Sequence, residues 1–311
     1  MSNWTTNDIP DQTGRLVVIT GATGGLGYET ALALSGKGAE VVLTGRSEAK
    51  GAAALAAIRT VFPNAKVSYE MLDLASLKSV ADFASRFAMA HDQLDLLINN
   101  GGVMAVPTRQ TTSDGFELQF GTNHLSHFAL TGHLLPLLLR AAAPRVVNVS
   151  SSAHNMGEIN FDDLQAQSGY RPWAAYGQSK LANLLFTLEL QRRSDAQGLP
   201  LLAVSAHPGL AATELVGNGM GSGFMARITG VLVGTMGQSA AQGALPQLYA
   251  AVAPDVKPAA YYGPLGFMGM RGAPGEGHTA PKGRDAAAAS RLWTVSEELT
   301  GVTYLEAARA A

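Results

Sequence analysis

A short apolar run, Leu16-Val17-Val18-Ile19-Thr20, leads directly into Gly21-Ala22-Thr23-Gly24-Gly25-Leu26-Gly27, and good helix formers follow in Glu29-Thr30-Ala31-Leu32-Ala33-Leu34. The apolar, β-branched run is too short for most helices and reads as a buried strand. The glycines let the backbone turn sharply and approach a ligand closely. A helix start offers free N–H groups and the positive end of a dipole, so strand, glycine turn and helix in this order make a phosphate-binding unit. The spacing is Gly21-x-x-x-Gly25-x-Gly27, not the Gly-x-Gly-x-x-Gly of larger dinucleotide dehydrogenases.

The same alternation continues along the chain. Strand patterns fall at 15–20, 40–44, 66–72, 94–98, 145–150, 200–206 and near 259–262, with helical patterns at 25–37, 47–62, 75–91, 114–140, 174–197, 237–251 and 284–299. Strands joined by helical crossovers predict an α/β fold with a doubly wound parallel sheet of about seven strands and helices on both faces. No repeat or linker divides the chain, so residues 1–311 are expected to form a single domain, with Pro274-Gly275-Glu276-Gly277 in a loop before the last helix.

Composition narrows the function. A net charge of −2 and a pI near 6.4 give no reason to expect nucleic acid or an anionic membrane as partner. The chain has no cysteine, which excludes disulfides, Cys-ligated zinc and thiol catalysis and fits a cytoplasmic protein. Residues 1–15 are polar, with Asp8 and Asp11, so neither a signal peptide nor a membrane anchor is expected there.

Tyr176 and Lys180 lie four apart in a helical stretch, Ala175-Tyr176-Gly177-Gln178-Ser179-Lys180-Leu181-Ala182-Asn183, and so share one helix face. A phenol ordinarily ionises near pH ~10, and a fixed cation beside it draws that value toward neutrality. A phenol tuned in this way can donate and accept protons.

Together these segments resemble the short-chain dehydrogenase/reductase family from about Thr13 to Tyr304. The resemblance rests on Thr20-Gly21-x-x-x-Gly25-x-Gly27, Asp73-Leu74, Asn99-Asn100-Gly101-Gly102, Asn123, Ser151, Tyr176-x-x-x-Lys180 and Pro208-Gly209. Asn123-His124-Leu125-Ser126-His127-Phe128, Val147-Asn148-Val149-Ser150-Ser151 and Tyr261-Tyr262-Gly263-Pro264 are most similar to its retinol-dehydrogenase-like branch. The sheet is then expected to be of the Rossmann type. Gly101 stands where the family usually has Ala; glycine should still admit a cofactor, with some loss of rigidity. Many retinol dehydrogenases carry a membrane anchor, so the polar N-terminal residues suggest a soluble relative.

Cofactor preference should be decided after the second strand. An NAD enzyme places a carboxylate there for the ribose hydroxyls. Here Gly45-Arg46-Ser47 follows, and the Arg46 guanidinium suits a 2′-phosphate, which predicts NADP(H) over NAD(H). The glycine turn, with Gly21, Thr23, Gly24, Gly25, Leu26 and Gly27, would hold the pyrophosphate. The resemblance implies that Asp73 and Leu74 flank the adenine, that Asn100 borders the adenine ribose with Gly101 also at the cofactor, and that Pro208 and Gly209 lie against the nicotinamide, with Thr213 near its carboxamide or the pyrophosphate.

Four side chains are candidates for the chemistry. Ser151 would hydrogen-bond the substrate oxygen, Tyr176 would give it a proton, and Lys180 would hold the cofactor ribose and keep the Tyr176 pKa low. The resemblance adds Asn123 as anchor of a water that links Lys180 to solvent. Ser150 and Ser152 compete for the serine role; alternation would put both on the face opposite Ser151. His124, His127 and His133 lack a carboxylate at a known metal spacing and are expected to pack helices, with no metal bound. His207, before Pro208-Gly209, would shape the site or simply end a strand.

Selectivity should lie in Met156–Trp173, with Phe161, Tyr170 and Trp173, and in Leu210–Met236, rich in Gly, Met, Leu and Val, with Phe224 and Arg227. The second segment reads equally as a lid over the substrate and as a packing or dimer surface. The expected activity is NADP(H)-dependent interconversion of an apolar ketone or aldehyde and its alcohol. An epimerase or dehydratase with a retained cofactor and a non-catalytic NADP-sensing protein are the alternatives. Relatives often pair through two long central helices, which leaves a homodimer or homotetramer open.

Overall fold

Eight strands form one sheet in the order β3-β2-β1-β4-β5-β6-β7-β8. The computed structural model describes residues 4–210 and 238–304. The strands are β1 (Leu16–Ile19), β2 (Glu40–Gly45), β3 (Val67–Met71), β4 (Leu96–Asn99), β5 (Arg145–Val149), β6 (Leu202–Ala206), β7 (Tyr261–Pro264) and β8 (Pro274–Glu276). Every pairing from β3 through β7 is parallel.

β8 departs from expectation. It runs antiparallel to β7, with Tyr262 opposite Glu276 and Pro264 opposite Pro274, where a loop was expected. Pro-Gly-Glu has almost no strand propensity, and proline is tolerated because this is the sheet edge.

Side chains alternate across the strands and build two cores. Val18, Val42, Leu97 and Val146 meet Phe83 and Phe87 of α3 (Leu77–Ala90) and Phe128 of a later helix. Val17, Ile19, Val41, Leu43 and Ile98 meet Leu34 of α1 (Gly25–Ser35) and Ile58 of α2 (Glu48–Val61). Period-two strands buried on both faces require apolar residues at consecutive positions, and Leu16-Val17-Val18-Ile19 supplies them.

The helix expected over 114–140 is broken. A single turn, α4 (Leu118–Phe120), is capped by the Glu117 carboxylate, which accepts from the Gln119 and Phe120 amides at 3.0 and 2.7 Å. A π-helical turn, Gly121–Leu125, then widens the coil before α5 (Ser126–Leu138). Helical periodicity cannot register a one-residue widening of this kind.

α6 (Pro172–Ala196) is the long central helix and α7 (Ala240–Val252) joins α1 on the opposite face. α8 (Ala286–Thr300) lies over α5 and α6. Its Trp293 ring sits 5.1 Å from Phe128, 5.9 Å from Phe186 and 4.4 Å from Tyr304. The Tyr304 hydroxyl donates to the Phe128 carbonyl at 2.6 Å. No described helix is long and apolar enough to cross a membrane.

Candidate active site

The loops that follow β1 to β6 open at one edge of the sheet around a cleft of about 750 Å³. Ligands of open α/β sheets bind at this carboxyl edge. Gly21 (φ +63°) and Gly25 (φ +54°) hold left-handed conformations that side-chain-bearing residues resist. A Cβ at Gly27 would stand 2.5 Å from the Gly21 carbonyl oxygen and 2.6 Å from Asn100 Nδ2. Asn100 Nδ2 donates to the Thr20 and Gly21 carbonyls at 2.8 and 3.3 Å, so this side chain pins the turn from beneath.

Helices α2, α3 and α8 are capped by Ser47, Ser76 and Asp285. α1 starts on Gly24, and among the described residues no side chain caps its first turn. Its free amides border the cleft at Gly24, Gly25 and Leu26. Unsatisfied amides and the positive dipole end suit a phosphate, so this donor set fits a dinucleotide.

Thr23, Arg46, Asp73 and Leu74 line the same cleft. Arg46 is exposed and forms no ion pair among the described residues. The Asp73 carboxylate accepts from the Ala75 amide at 2.9 Å. A Cβ at Gly101 would come within 2.6 Å of Leu74 Cδ1, so the leucine already fills the space that an alanine methyl would take. Pro208 and Gly209 (φ +67°) border the cleft beyond β6. Thr213, Phe224 and Arg227 lie outside the described residues.

Ser151, Tyr176 and Lys180 come together on the opposite wall. Ser151 caps the 3-10 turn Ser152–Met156, accepting from the Ala153 amide at 3.2 Å. The Ser150 hydroxyl is committed to the Lys180 carbonyl at 2.7 Å. Ser152 also borders the cleft, contrary to the alternation argument, because β5 ends at Val149 and its alternation ends with it. Lys180 Nζ donates to the Val149 carbonyl at 3.1 Å and lies 5.7 Å from the Tyr176 ring centroid.

The electrostatics correct one expectation. Tyr176 is pushed up to about 12 by burial, with a hydrogen bond to Ser151 acting the other way. Lys180 is pushed down to about 8 by burial. Burial is the largest influence on both groups, so in this structure the phenol lies above its ordinary value rather than near neutrality.

That shift sets a sign for stability. Below pH 8 both states hold the Lys180 proton, and the native state bears the full cost of a buried cation. Between about 8 and the ordinary 10.5 the unfolded chain binds more protons, so the Lys180 contribution to stability rises with pH. Lys180→Met should lose this rise. Urea unfolding free energies measured from pH 8 to 10 are expected to show a flatter profile in the variant; superimposable slopes would contradict the buried ammonium.

Asn123 does not border the cleft. Its Oδ1 accepts from the Val103 amide at 2.8 Å, and its Nδ2 donates to the Val103 carbonyl and to Ser179 Oγ, both at 2.9 Å. Its side chain therefore clamps the loop after β4. His124 and His127 are buried and pushed down to about 3 and 4 by desolvation, so both rings are neutral. His133, exposed on α5, is also shifted down by desolvation. His207 stacks on Tyr261 at 4.8 Å and accepts from the Gly209 amide at 3.3 Å. Among the described residues no cluster of His, Cys, Asp or Glu could hold a metal.

The distal end of the cleft was read only in part. Met156 and Trp173 line it, but the Tyr170 hydroxyl donates to the Val106 carbonyl and Phe161 stacks under Arg291, so both aromatics support the wall from behind. Met104, Val106, Pro107, Gln110 and Leu118 also line the cleft, and sequence reasoning missed them. The first four follow β4 without periodicity, Pro107 being the one local mark of a loop there, while Leu118 opens α4.

A family model described as short chain dehydrogenase matches residues 15–219. Mouse retinol dehydrogenase 12 is 42% identical over 293 residues, covering 94% of this chain and 88% of that protein. The crystal structure of an uncharacterized protein from Mycobacterium paratuberculosis is 42% identical, with a TM-score of 0.80 over 97% of this chain and 99% of that one. A short chain dehydrogenase from Escherichia coli CFT073, solved in complex with NADPH, is 25% identical, with a TM-score of 0.55 over 73% of this chain and 93% of that one.

Proposed function

The chain belongs to the short-chain dehydrogenase family, on its retinol-dehydrogenase-like branch, and from that premise we propose that it is an NADP(H)-dependent oxidoreductase interconverting an apolar ketone or aldehyde and its alcohol. One observation carries the reading: a single cleft runs from the uncapped glycine turn to Ser151, Tyr176 and Lys180.

NADP(H) bound in that cleft supplies or accepts the hydride. The α1 amides and glycine turn would hold its pyrophosphate, Arg46 its 2′-phosphate, Asp73 and Leu74 its adenine, and Asn100 with Gly101 the adjoining ribose. Pro208 and Gly209 would flank the nicotinamide. Ser151 donates a hydrogen bond to the substrate oxygen, polarising it. Tyr176, held as a neutral phenol by burial, is in the protonated form that reduction requires and passes its proton to that oxygen. Lys180 is protonated at neutral pH and would hold the cofactor ribose. Asn123 supports this wall by fixing Val103 and Ser179.

An apolar substrate is supported by the distal wall, which Met104, Val106, Pro107, Leu118, Met156 and Trp173 line with Gln110 among them. A pocket of this composition takes apolar surface and excludes charge. The test is incubation with NADPH and a panel of apolar ketones and aldehydes, followed at the nicotinamide absorbance. Net consumption supports the reading. Binding without consumption would favour a sensor, and product formation without net redox an epimerase or dehydratase.

NADP(H) preference is supported by Arg46 at the end of β2, which forms no ion pair among the described residues, and by the NADPH held in the E. coli relative. A charge-assisted hydrogen bond contributes about 1.5–3 kcal/mol. Arg46→Ala should therefore weaken NADPH binding by roughly 10–100-fold and leave NADH nearly untouched. Titration of both nucleotides by fluorescence checks this; equal losses would remove Arg46 from phosphate recognition.

A further inference from the structure

His127 sits in the first turn of α5, 1% exposed, and both of its ring nitrogens are engaged. Nδ1 lies 2.9 Å from the Asn123 carbonyl oxygen and Nε2 lies 2.9 Å from Thr20 Oγ1. A carbonyl only accepts, so the proton of this neutral ring is assigned to Nδ1 and Nε2 is an acceptor. The Thr20 hydroxyl then donates to Nε2, its other neighbour, the Ile98 carbonyl, being farther off at 3.4 Å. The same hydroxyl oxygen accepts from the Asn100 and Gly101 amides at 2.9 and 2.8 Å.

On the other side of the ring lies the π turn. Asn123, at its centre, donates to Ser179 Oγ at 2.9 Å, and Ser179 Oγ donates to the Tyr176 carbonyl at 2.8 Å. An unbroken run of hydrogen bonds thus links Thr20, at the mouth of the glycine turn, through His127, Asn123 and Ser179 to the backbone of Tyr176. A π turn trades regular helix bonding for a wider coil and is often found where function needs it. Here an imidazole ties that turn to the sheet. Packing alone would need an apolar ring of similar volume, not two directed bonds.

We propose that His127 is a positioning residue: a neutral imidazole protonated on Nδ1 that locks the Asn123 turn to the glycine turn, and so sets Tyr176 relative to the cofactor side of the cleft. This rests on the oxidoreductase reading. Misplacing a reacting group by about 1 Å from a distance can cost about 100-fold in rate.

His127→Phe keeps a flat ring, somewhat larger than imidazole, and removes both bonds. It should lower kcat by about 100-fold while the KM for the carbonyl moves little. His127→Asn keeps a donor for the Asn123 carbonyl and gives up Thr20, and it should recover at least part of that loss. Nitrogen-15 spectra of the wild-type protein should show His127 as the Nδ1–H tautomer, without titration between pH 5 and 8. A Phe variant with wild-type kcat, or a proton found on Nε2, overturns the proposal. Should the Phe variant fail to fold, the Asn variant and the wild-type spectrum still decide: an Asn variant whose KM rises while kcat holds counts against positioning. Wild-type protein inert toward every carbonyl sinks the oxidoreductase reading alone, whereas the wrong tautomer sinks the His127 tie alone.

Discussion

Tyr176→Phe is expected to lower kcat for carbonyl-dependent NADPH oxidation by about 10²–10⁴-fold, the range ordinarily carried by a positioned general acid. The ring stays and the hydroxyl goes. Tyr176 is 8% exposed and meets Trp173 edge-on at 5.9 Å, contacts that phenylalanine preserves. The hydroxyl is replaced by nothing that can donate a proton, while Ser151 keeps its bond from the Ala153 amide. Because the glycine turn and Arg46 lie elsewhere in the cleft, NADPH affinity should hold. Single-turnover rates with NADPH and an apolar ketone, alongside nucleotide binding, read the two quantities separately. A fully active variant would end the proposed mechanism, and a variant that loses NADPH binding in proportion to rate would assign Tyr176 to binding instead.

The second large effect is on stability. Trp293→Ala should cost about 3–5 kcal/mol, the usual penalty for deleting a large buried aromatic ring. Trp293 is 2% exposed and touches Phe128, Phe186 and Tyr304, with the Arg193 guanidinium 4.5 Å from its ring. Its indole N–H finds no acceptor among the described residues, so the substitution removes packing and leaves no hydrogen-bond partner stranded. The ring anchors α8, and α8 also holds His124 through Ser296 Oγ at 2.9 Å, next to the π turn. Loosening this helix should therefore expose the outer side of α5 and α6 as well. Urea denaturation should show a lower midpoint; a loss below about 1 kcal/mol would mean that α8 lies on the surface rather than in the core.

The parts of the fold that were legible share a cause. β1, the glycine turn and α1 are adjacent in sequence, and their apolar run, turn residues and helix formers state their conformations locally. β2 to β7 each carry enough β-branched or apolar residues to be seen alone. β8 does not: Pro274-Gly275-Glu276 becomes a strand because β7 is beside it. The break at Gly121–Leu125 was hidden for a similar reason, since Asn123 is held there by Val103, twenty positions earlier in the chain.

The site divides in the same way. Residues at strand ends, such as Arg46, Asp73, Ser151 and Pro208, could be placed at the cleft because topology sends every parallel strand's carboxyl end to the same edge. Met104, Val106, Pro107 and Gln110 carry no pattern, and Tyr170, expected in the selectivity segment, supports Val106 from behind through its hydroxyl.

By itself the sequence determined what depends on neighbours a few residues away: the alternating elements, the phosphate-accepting turn, and the placing of Tyr176 and Lys180 on one helix face. Tertiary structure alone decided burial and long-range partnership. It raised the Tyr176 phenol to about 12 and lowered the Lys180 ammonium to about 8, turned α8 onto the central helices, and joined Thr20 to Asn123 through His127. The reason is physical: a side chain's propensity travels with it along the chain, whereas its desolvation and its hydrogen-bond partners exist only once distant segments have closed around it.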